Sequence, residues 1–129
     1  MVKVKEIMTK ILVIVEADSV VRDAIRIMSE KKLGSVLVRK GKEIVGILEE
    51  GDIINNILTR DLNLYVVKAE SVMSIPFVID EDRTDNDASD MMYQNKVRHL
   101  AVSDGHIITG ILSMADLLRP IYSGKSFWT

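Results

Sequence analysis

The sequence contains no cysteine, which excludes disulfides, thiolate catalysis, iron–sulfur clusters and thiolate zinc sites together. It has no basic surplus either: 17 Lys and Arg against 19 Asp and Glu leave a formal charge of −2. Nothing therefore draws the whole chain onto phosphate backbones, and a nucleic-acid partner is not expected, although a local basic pocket stays open. Long apolar runs are missing. Ile11 to Val15 falls far short of the roughly 20 residues of a spanning helix, and nothing upstream resembles a secretory leader, so the expectation is a cytoplasmic protein with no membrane partner. Two histidines without cysteine make a poor metal set, and no metal site is expected. What is present is ordinary globular composition: 129 residues, 47% apolar and 28% charged, enough for one core or two small interlocked ones.

Sliding the sequence against itself exposes a repeat. Gly46-Ile47-Leu48-Glu49-Glu50-Gly51-Asp52 recurs as Gly110-Ile111-Leu112-Ser113-Met114-Ala115-Asp116 at a shift of 64 residues, which also superposes Asp23-Ala24 on Asp87-Ala88 and Met28 on Met92. Glu6-Ile7-Met8 matches Ser71-Val72-Met73 at a shift of 65. The division expected is 1–64 for the first copy with a short lead-in, 65–122 for the second, and a tail over 123–129 holding Phe127 and Trp128. Each copy reads β-α-β-β-α. A short apolar run (Ile11 to Val15; Phe77 to Ile79, with Phe77 in the core) predicts a buried strand, and Ser19 or Thr84 then caps a helix. Val21, Ala24, Ile25 and Met28 give that helix its apolar face over Val20 to Lys31. Two extended segments follow around a glycine, Ser35 to Arg39 and Glu43 to Leu48 about Gly41, then Leu100 to Ser103 and Ile107 to Leu112 about Gly105. A closing helix carries Ile53, Ile54, Ile57 and Leu58, or Leu117 and Leu118. The fold class expected is mixed α/β (α+β), the two repeats packed sheet to sheet about a pseudo-twofold axis with a cleft for each closing motif, because a unit of about 60 residues buries too little surface alone.

Ser113 and Asp116 at the start of the last helix have the spacing of a capping box, and that bland role needs no ligand. The same helix end favours an anion, and a hydroxyl beside a carboxylate can serve a phosphate and the paired hydroxyls of a sugar. In the first copy the equivalents are Glu49 and Asp52, where Glu49 brings its own negative charge to the place a phosphate would take. The two sites are therefore expected to differ, the Ser113 site taking a nucleotide and the Glu49 site empty or taking a ligand without phosphate there. Arg98-His99, where the first copy is read as having Leu33-Gly34, supplies two donors able to neutralise phosphate, while Gly34 and Ser35 of the first copy leave room for a flat base.

Met8, Asp18 to Ala24, Lys96 to Val102 and above all Gly110 to Asp116 resemble the cystathionine-β-synthase (CBS) domain pattern, and the doubled motif resembles a tandem CBS pair, or Bateman module, over about residues 4 to 122. The resemblance implies clefts for adenosine compounds: AMP, ADP, ATP or S-adenosylmethionine. It implies that Asp116 holds the ribose with Ser113 and Ile111 beside it, that Thr9, Ile11, Leu12 and Gly34 pack on the base, and that Arg98 or His99 faces phosphate. The second site it implies, with Glu49 departing from the pattern, comprises Asp52, Glu49, Ile75 and Phe77. No cofactor is required, the nucleotide being a regulatory ligand; the partners expected are that ligand, a second copy in a homodimer and a regulated protein.

Other readings fall to spacing. Asp80 to Met91 lacks the glycine and the final glutamate of a calcium loop, and is read as an acidic first helical turn capped by Thr84 and Asp87. His99, Ser113 and Asp116 cannot form a triad, because an acid three residues from the serine is poorly placed to orient the imidazole. His106 is placed in a turn, and Met91, Met92 and Met114 are read as core or interface filling. With no nucleophile beside a positioned base, an enzyme is not expected. The reading from another class is a protein-interaction scaffold whose ligand sites have degenerated.

Overall fold

The computed structural model describes residues 1–122, with side chains to residue 118. The Phe127-Trp128 tail lies outside the described residues. Contacts divide the chain into two compact units: Val13–Ile75, and Met1–Leu12 with Pro76 onward. The repeat in sequence and the units in space are thus cut differently. Each copy's lead-in leaves its own copy.

The Val13–Ile75 unit runs β1 (Ile14–Glu16), α2 (Val21–Lys31), β2 (Ser35–Lys40), β3 (Glu43–Glu49), α3 (Glu50–Asp52), a π-helical turn over Ile53–Leu58, and α4 (Ala69–Val72). Its sheet order is β1-β2-β3, with β1 parallel to β2 and β2 antiparallel to β3. The other unit repeats the plan with α1 (Val4–Ile7), β4 (Val78–Asp80), α5 (Asp85–Asn95), β5 (His99–Ser103), β6 (Ile108–Ser113) and α6 (Met114–Tyr122), in sheet order β4-β5-β6. The tight β2–β3 and β5–β6 turns hold Gly41 and Gly105 at φ of 63° and 103°, a region side chains avoid.

Each unit has its own core. Val15, Val21, Ala24, Met28, Val36, Val38, Leu48 and Ile57 pack in one, with Ala69 and Val72 from the second lead-in. Ile79, Ala88, Met92, Leu100, Val102 and Leu112 pack in the other, with Val4 and Ile7 from the first lead-in. The period-3.6 apolar face expected of α2 is therefore the face that is buried.

Methionine and glycine explain how a lead-in is seated. The motif glycine Gly110 lies under Met8: a Cβ added there would sit 2.5 Å from the Met8 sulfur and 3.0 Å from the Thr9 carbonyl oxygen. Gly46 lies under Met73 in the same way. Backbone bridges fix the register, Thr9 with Ile111 (N···O 2.8 and 3.0 Å) and Ser74 with Ile47 (2.8 and 2.9 Å). Only a residue without a side chain lets a neighbouring segment come this close.

Several local expectations are corrected. The first strand is Ile14–Glu16, because the apolar run crosses from lead-in to strand: Ile11 and Leu12 belong to the other unit, and Ile11 is 82% exposed. Phe77 precedes β4 and is 43% exposed, so it is not a core residue. Ser19 does not cap α2; its hydroxyl donates to the Glu16 carbonyl and Val20 takes the N-cap position. Thr84 does cap α5, with Asp87 reciprocating. The apolar stripe of the first closing element splits, Ile57 being buried while Ile54 and Leu58 are exposed, and Met114 is exposed as well.

Candidate functional site

Strand β6 delivers Ser113 and helix α6 delivers Asp116. The Ser113 N–H donates to Asp116 Oδ2 at 2.8 Å and the Asp116 N–H donates to Ser113 Oγ at 3.2 Å, a reciprocal capping box. Asp116 is one of two buried charged groups among the described residues, at 4% exposure. Because Ser113 Oγ accepts in this pair, its own O–H is left to donate elsewhere. His99 on β5 lies directly opposite Ser113 on β6, and the Arg98 carbonyl accepts the first α6 N–H, that of Met114, at 2.8 Å. Arg98 itself is exposed.

Most of the residues expected to bind together fall in one unit. Thr9 is bridged to Ile111, two residues before Ser113, and Ile11, Leu12, Arg98 and His99 belong to the same unit, so the exchanged lead-in brings Thr9 beside the closing motif. Gly34 is the exception in the assignment to units. It sits in the other unit, its carbonyl accepting the Glu50 N–H at 3.3 Å, the counterpart of the Arg98–Met114 bond. The second set is divided too: Glu49, Asp52 and Ile75 lie in the Val13–Ile75 unit, while Phe77 lies in the other.

The first copy's turn is built differently. Asp52, 8% exposed, accepts the Glu49 N–H at 2.8 Å on Oδ2, and on Oδ1 it accepts the Ser74 hydroxyl and, at 3.2 Å, the Asn56 side-chain amide. The same Asn56 nitrogen donates to the Val72 carbonyl at 2.9 Å. Burial holds the Asp52 carboxyl above the ordinary carboxylate range, opposed by the Ser74 and Glu49 N–H bonds and assisted by the Glu49 charge. Ser74 and Asn56 went unnoticed in the sequence. The signal for Ser74 was there, since it follows Met73 as Thr9 follows Met8; Asn56 carries none, its counterpart being Pro120.

A groove of about 350 Å³ lies beside this turn, lined by Ile25, Met28, Lys32, Gly34, Glu50 and Ile53 among others. No cluster of His, Asp or Glu suited to a metal ion occurs among the described residues, and no helix there is long and apolar enough to cross a membrane.

Two β-α-β-β-α units, each completed by a methionine-bearing lead-in and each carrying an acid-capped turn after its last strand, define a tandem-repeat module. The CBS domain family model matches residues 4–59 and again 69–123, and the chain belongs to that family. An uncharacterized 17.7 kDa protein of Acidianus ambivalens is 33% identical over 124 residues, covering 92% of this chain and 73% of that one. The arabinose 5-phosphate isomerase KdsD of Francisella tularensis is 31% identical over 120 residues, covering 91% of this chain but 37% of the isomerase. Among solved structures, a protein with CBS domains from Burkholderia ambifaria superposes with a TM-score of 0.88 at 26% identity, each chain covered to 97%. A conserved CBS domain protein of Thermoplasma acidophilum superposes at 0.86 with 28% identity, covering 91% of this chain and 67% of that one.

Proposed function

We propose that the chain is a regulatory module that binds an adenosine-containing nucleotide at the Ser113–Asp116 turn and passes its occupancy to a partner protein, without catalysis of its own. The observation that carries this is the buried Asp116 held at the start of α6 with Ser113 beside it and Thr9 bridged to the same strand. The carboxylate suits the paired hydroxyls of ribose; the Ser113 O–H, the helix N-terminus and the donors of Arg98 and His99 suit phosphate. Exposed Ile11 offers an apolar surface to the base. A CBS domain protein from Pyrobaculum aerophilum, 19% identical and with a TM-score of 0.79, is complexed with AMP, which makes AMP the first probe. Occupancy can signal only as far as the nucleotide prefers one arrangement of the module over another.

The test is AMP, ATP and S-adenosylmethionine titrated against the parent and Asp116→Ala. A ligand at 100 times its Kd stabilises the native state by about 2.7 kcal/mol, so the parent's midpoint should rise with concentration. Asp116→Ala should weaken binding about ten-fold or more, for the loss of charge-assisted hydrogen bonds. Equal affinity in the two proteins removes the ribose role. No shift with any of the three favours the scaffold reading, in which the helices serve another protein.

A homodimer belongs to the same proposal. Ile54 and Leu118 occupy the same place in the two copies and are 54% and 48% exposed, with Leu58 and Met114 nearby in sequence also exposed. Apolar side chains repeated in this way suit a symmetric second copy, and a similar CBS-CP12 protein from bloom-forming cyanobacteria, 26% identical, is hexameric. Sedimentation velocity should show a dimer that Leu118→Glu dissociates; a monomer at high concentration refutes it.

A further inference from the structure

In the first copy the acid of the closing turn is satisfied by side chains of its own unit. A ribose offers two neighbouring O–H donors and asks the carboxylate for matching acceptor positions. At Asp52 those positions are engaged from within: Oδ1 takes the Ser74 hydroxyl and the Asn56 amide while Oδ2 takes the Glu49 N–H. Ser74 thus presents to the acid the same group a sugar would present. Asn56 is itself anchored, because its amide nitrogen also reaches the Val72 carbonyl at 2.9 Å, so turning it away forfeits two bonds. The π-helical turn sets it there. Over Ile53–Leu58 the backbone closes five residues back, as in Thr59 N–H to Ile54 carbonyl at 3.0 Å, which places Asn56 between the acid and the second lead-in.

Building on the reading of Asp116 as a ribose acceptor, we propose that Asp52 is occupied by its own chain: Ser74 and Asn56 stand in for the sugar, close the first copy's turn to nucleosides, and convert the acid into a tie that holds the Val72–Ser74 segment against the turn. One nucleotide per chain is the consequence, and Ser74 and Asn56 are the residues that decide it. A nucleoside entering this turn would have to displace two donors from one buried carboxylate, each displacement weakening binding by about ten-fold or more.

The experiment uses the full chain with AMP as the probe, calorimetric titration for stoichiometry and urea unfolding for stability, on the parent, Asp52→Ala, Ser74→Ala, Asn56→Ala and the pairwise combinations. The expected result is one AMP per chain in the parent, an AMP Kd changed less than about two-fold by Asp52→Ala, and a lowered urea midpoint for that variant. Ser74→Ala should add little further loss once Asp52 is already alanine, the mark of interacting partners. Two AMP per chain with one lost on Asp52→Ala, an Asp52→Ala Kd weakened about ten-fold or more, or an unchanged urea midpoint would each overturn the proposal. A parent that binds no AMP while Asp52 and Ser74 remain coupled in urea would refute the nucleotide reading and leave the tie standing. Should Asp52→Ala not fold, the Ser74→Ala and Asn56→Ala pair carries the test, strict additivity between them refuting a shared acceptor.

Discussion

Replacing Gly46 with alanine places a methyl group where the Met73 side chain already lies. Overpacking of this kind costs about 1–3 kcal/mol. Truncating Met73, which is half-buried, costs about 2 kcal/mol, the low end of the range for large-to-alanine changes. If the two sites were independent, the double variant would lose the sum, about 3–5 kcal/mol. They share one space, however. With Met73 cut to alanine, the obstructing sulfur and Cγ are gone and only the Met73 Cβ, 3.2 Å from the added methyl, still presses. The double variant should therefore lose about 2–3 kcal/mol, leaving a coupling of about 1–2 kcal/mol. Urea unfolding at 25 °C of the parent, Gly46→Ala, Met73→Ala and the double variant measures this directly. Gly46→Ala with Met8→Ala is the control: Met8 lies in the other unit on Gly110, so that pair should add within about 0.5 kcal/mol. Additivity of Gly46 with Met73, or coupling of Gly46 with Met8, would refute the seating of the lead-ins described above.

The helix caps separate by the same kind of measurement. Thr84→Ala should cost about 1 kcal/mol, because its hydroxyl accepts the Asp87 N–H, whereas Ser19→Ala should cost less than about 0.5 kcal/mol, its hydroxyl only donating to an exposed carbonyl; equal losses would contradict the assignment. The pH dependence follows from the carboxylates. Burial raises Asp52 above its ordinary value of 3.8, so the native chain keeps this proton longer than the unfolded chain does, and the stability it contributes is full below 3.8 and lost as pH rises through the native value. The deficit of Asp52→Asn relative to the parent should therefore be largest near about pH 4 and shrink toward about pH 7; a deficit that widens over that range contradicts the burial argument. Asp82, Asp87 and Asp104 act in the opposite sense. Lowered by the Lys5 side chain, the Thr84 N–H and the Ile107 N–H respectively, they contribute stability above 3.8 that is lost as pH falls, in parent and variant alike.

Periodicity placed α2 and the two glycine-centred hairpins within one or two residues, and the S-x-x-D spacing located the Ser113–Asp116 cap. These features depend on neighbours close in sequence, where the side-chain period and turn chemistry are written residue by residue. The apolar run from Ile11 to Val15 misled because hydrophobicity alone does not say where a chain passes from one compact unit to the next. Ile11 is exposed and Val15 buried, four residues apart in the same run. Ser19 misled for a related reason: a hydroxyl ahead of a helix can reach back to a carbonyl as well as forward to an N–H, and here the Glu16 carbonyl took it.

The sequence by itself determined that there are two copies of one plan, the order of elements within each, and which copy carries the serine and which the glutamate at the closing turn. Only the tertiary structure decided that Met8 seats on Gly110 and Met73 on Gly46, each lead-in completing the other copy, since both methionine–glycine pairings are equally compatible with the repeat. It also decided that Asp52 is satisfied by Asn56 and Ser74, two residues brought to it by a π-helical turn and an exchanged segment. Local patterns fix what each segment becomes; which segments meet depends on shape and on hydrogen-bond demand across the fold, and neither is periodic in the chain.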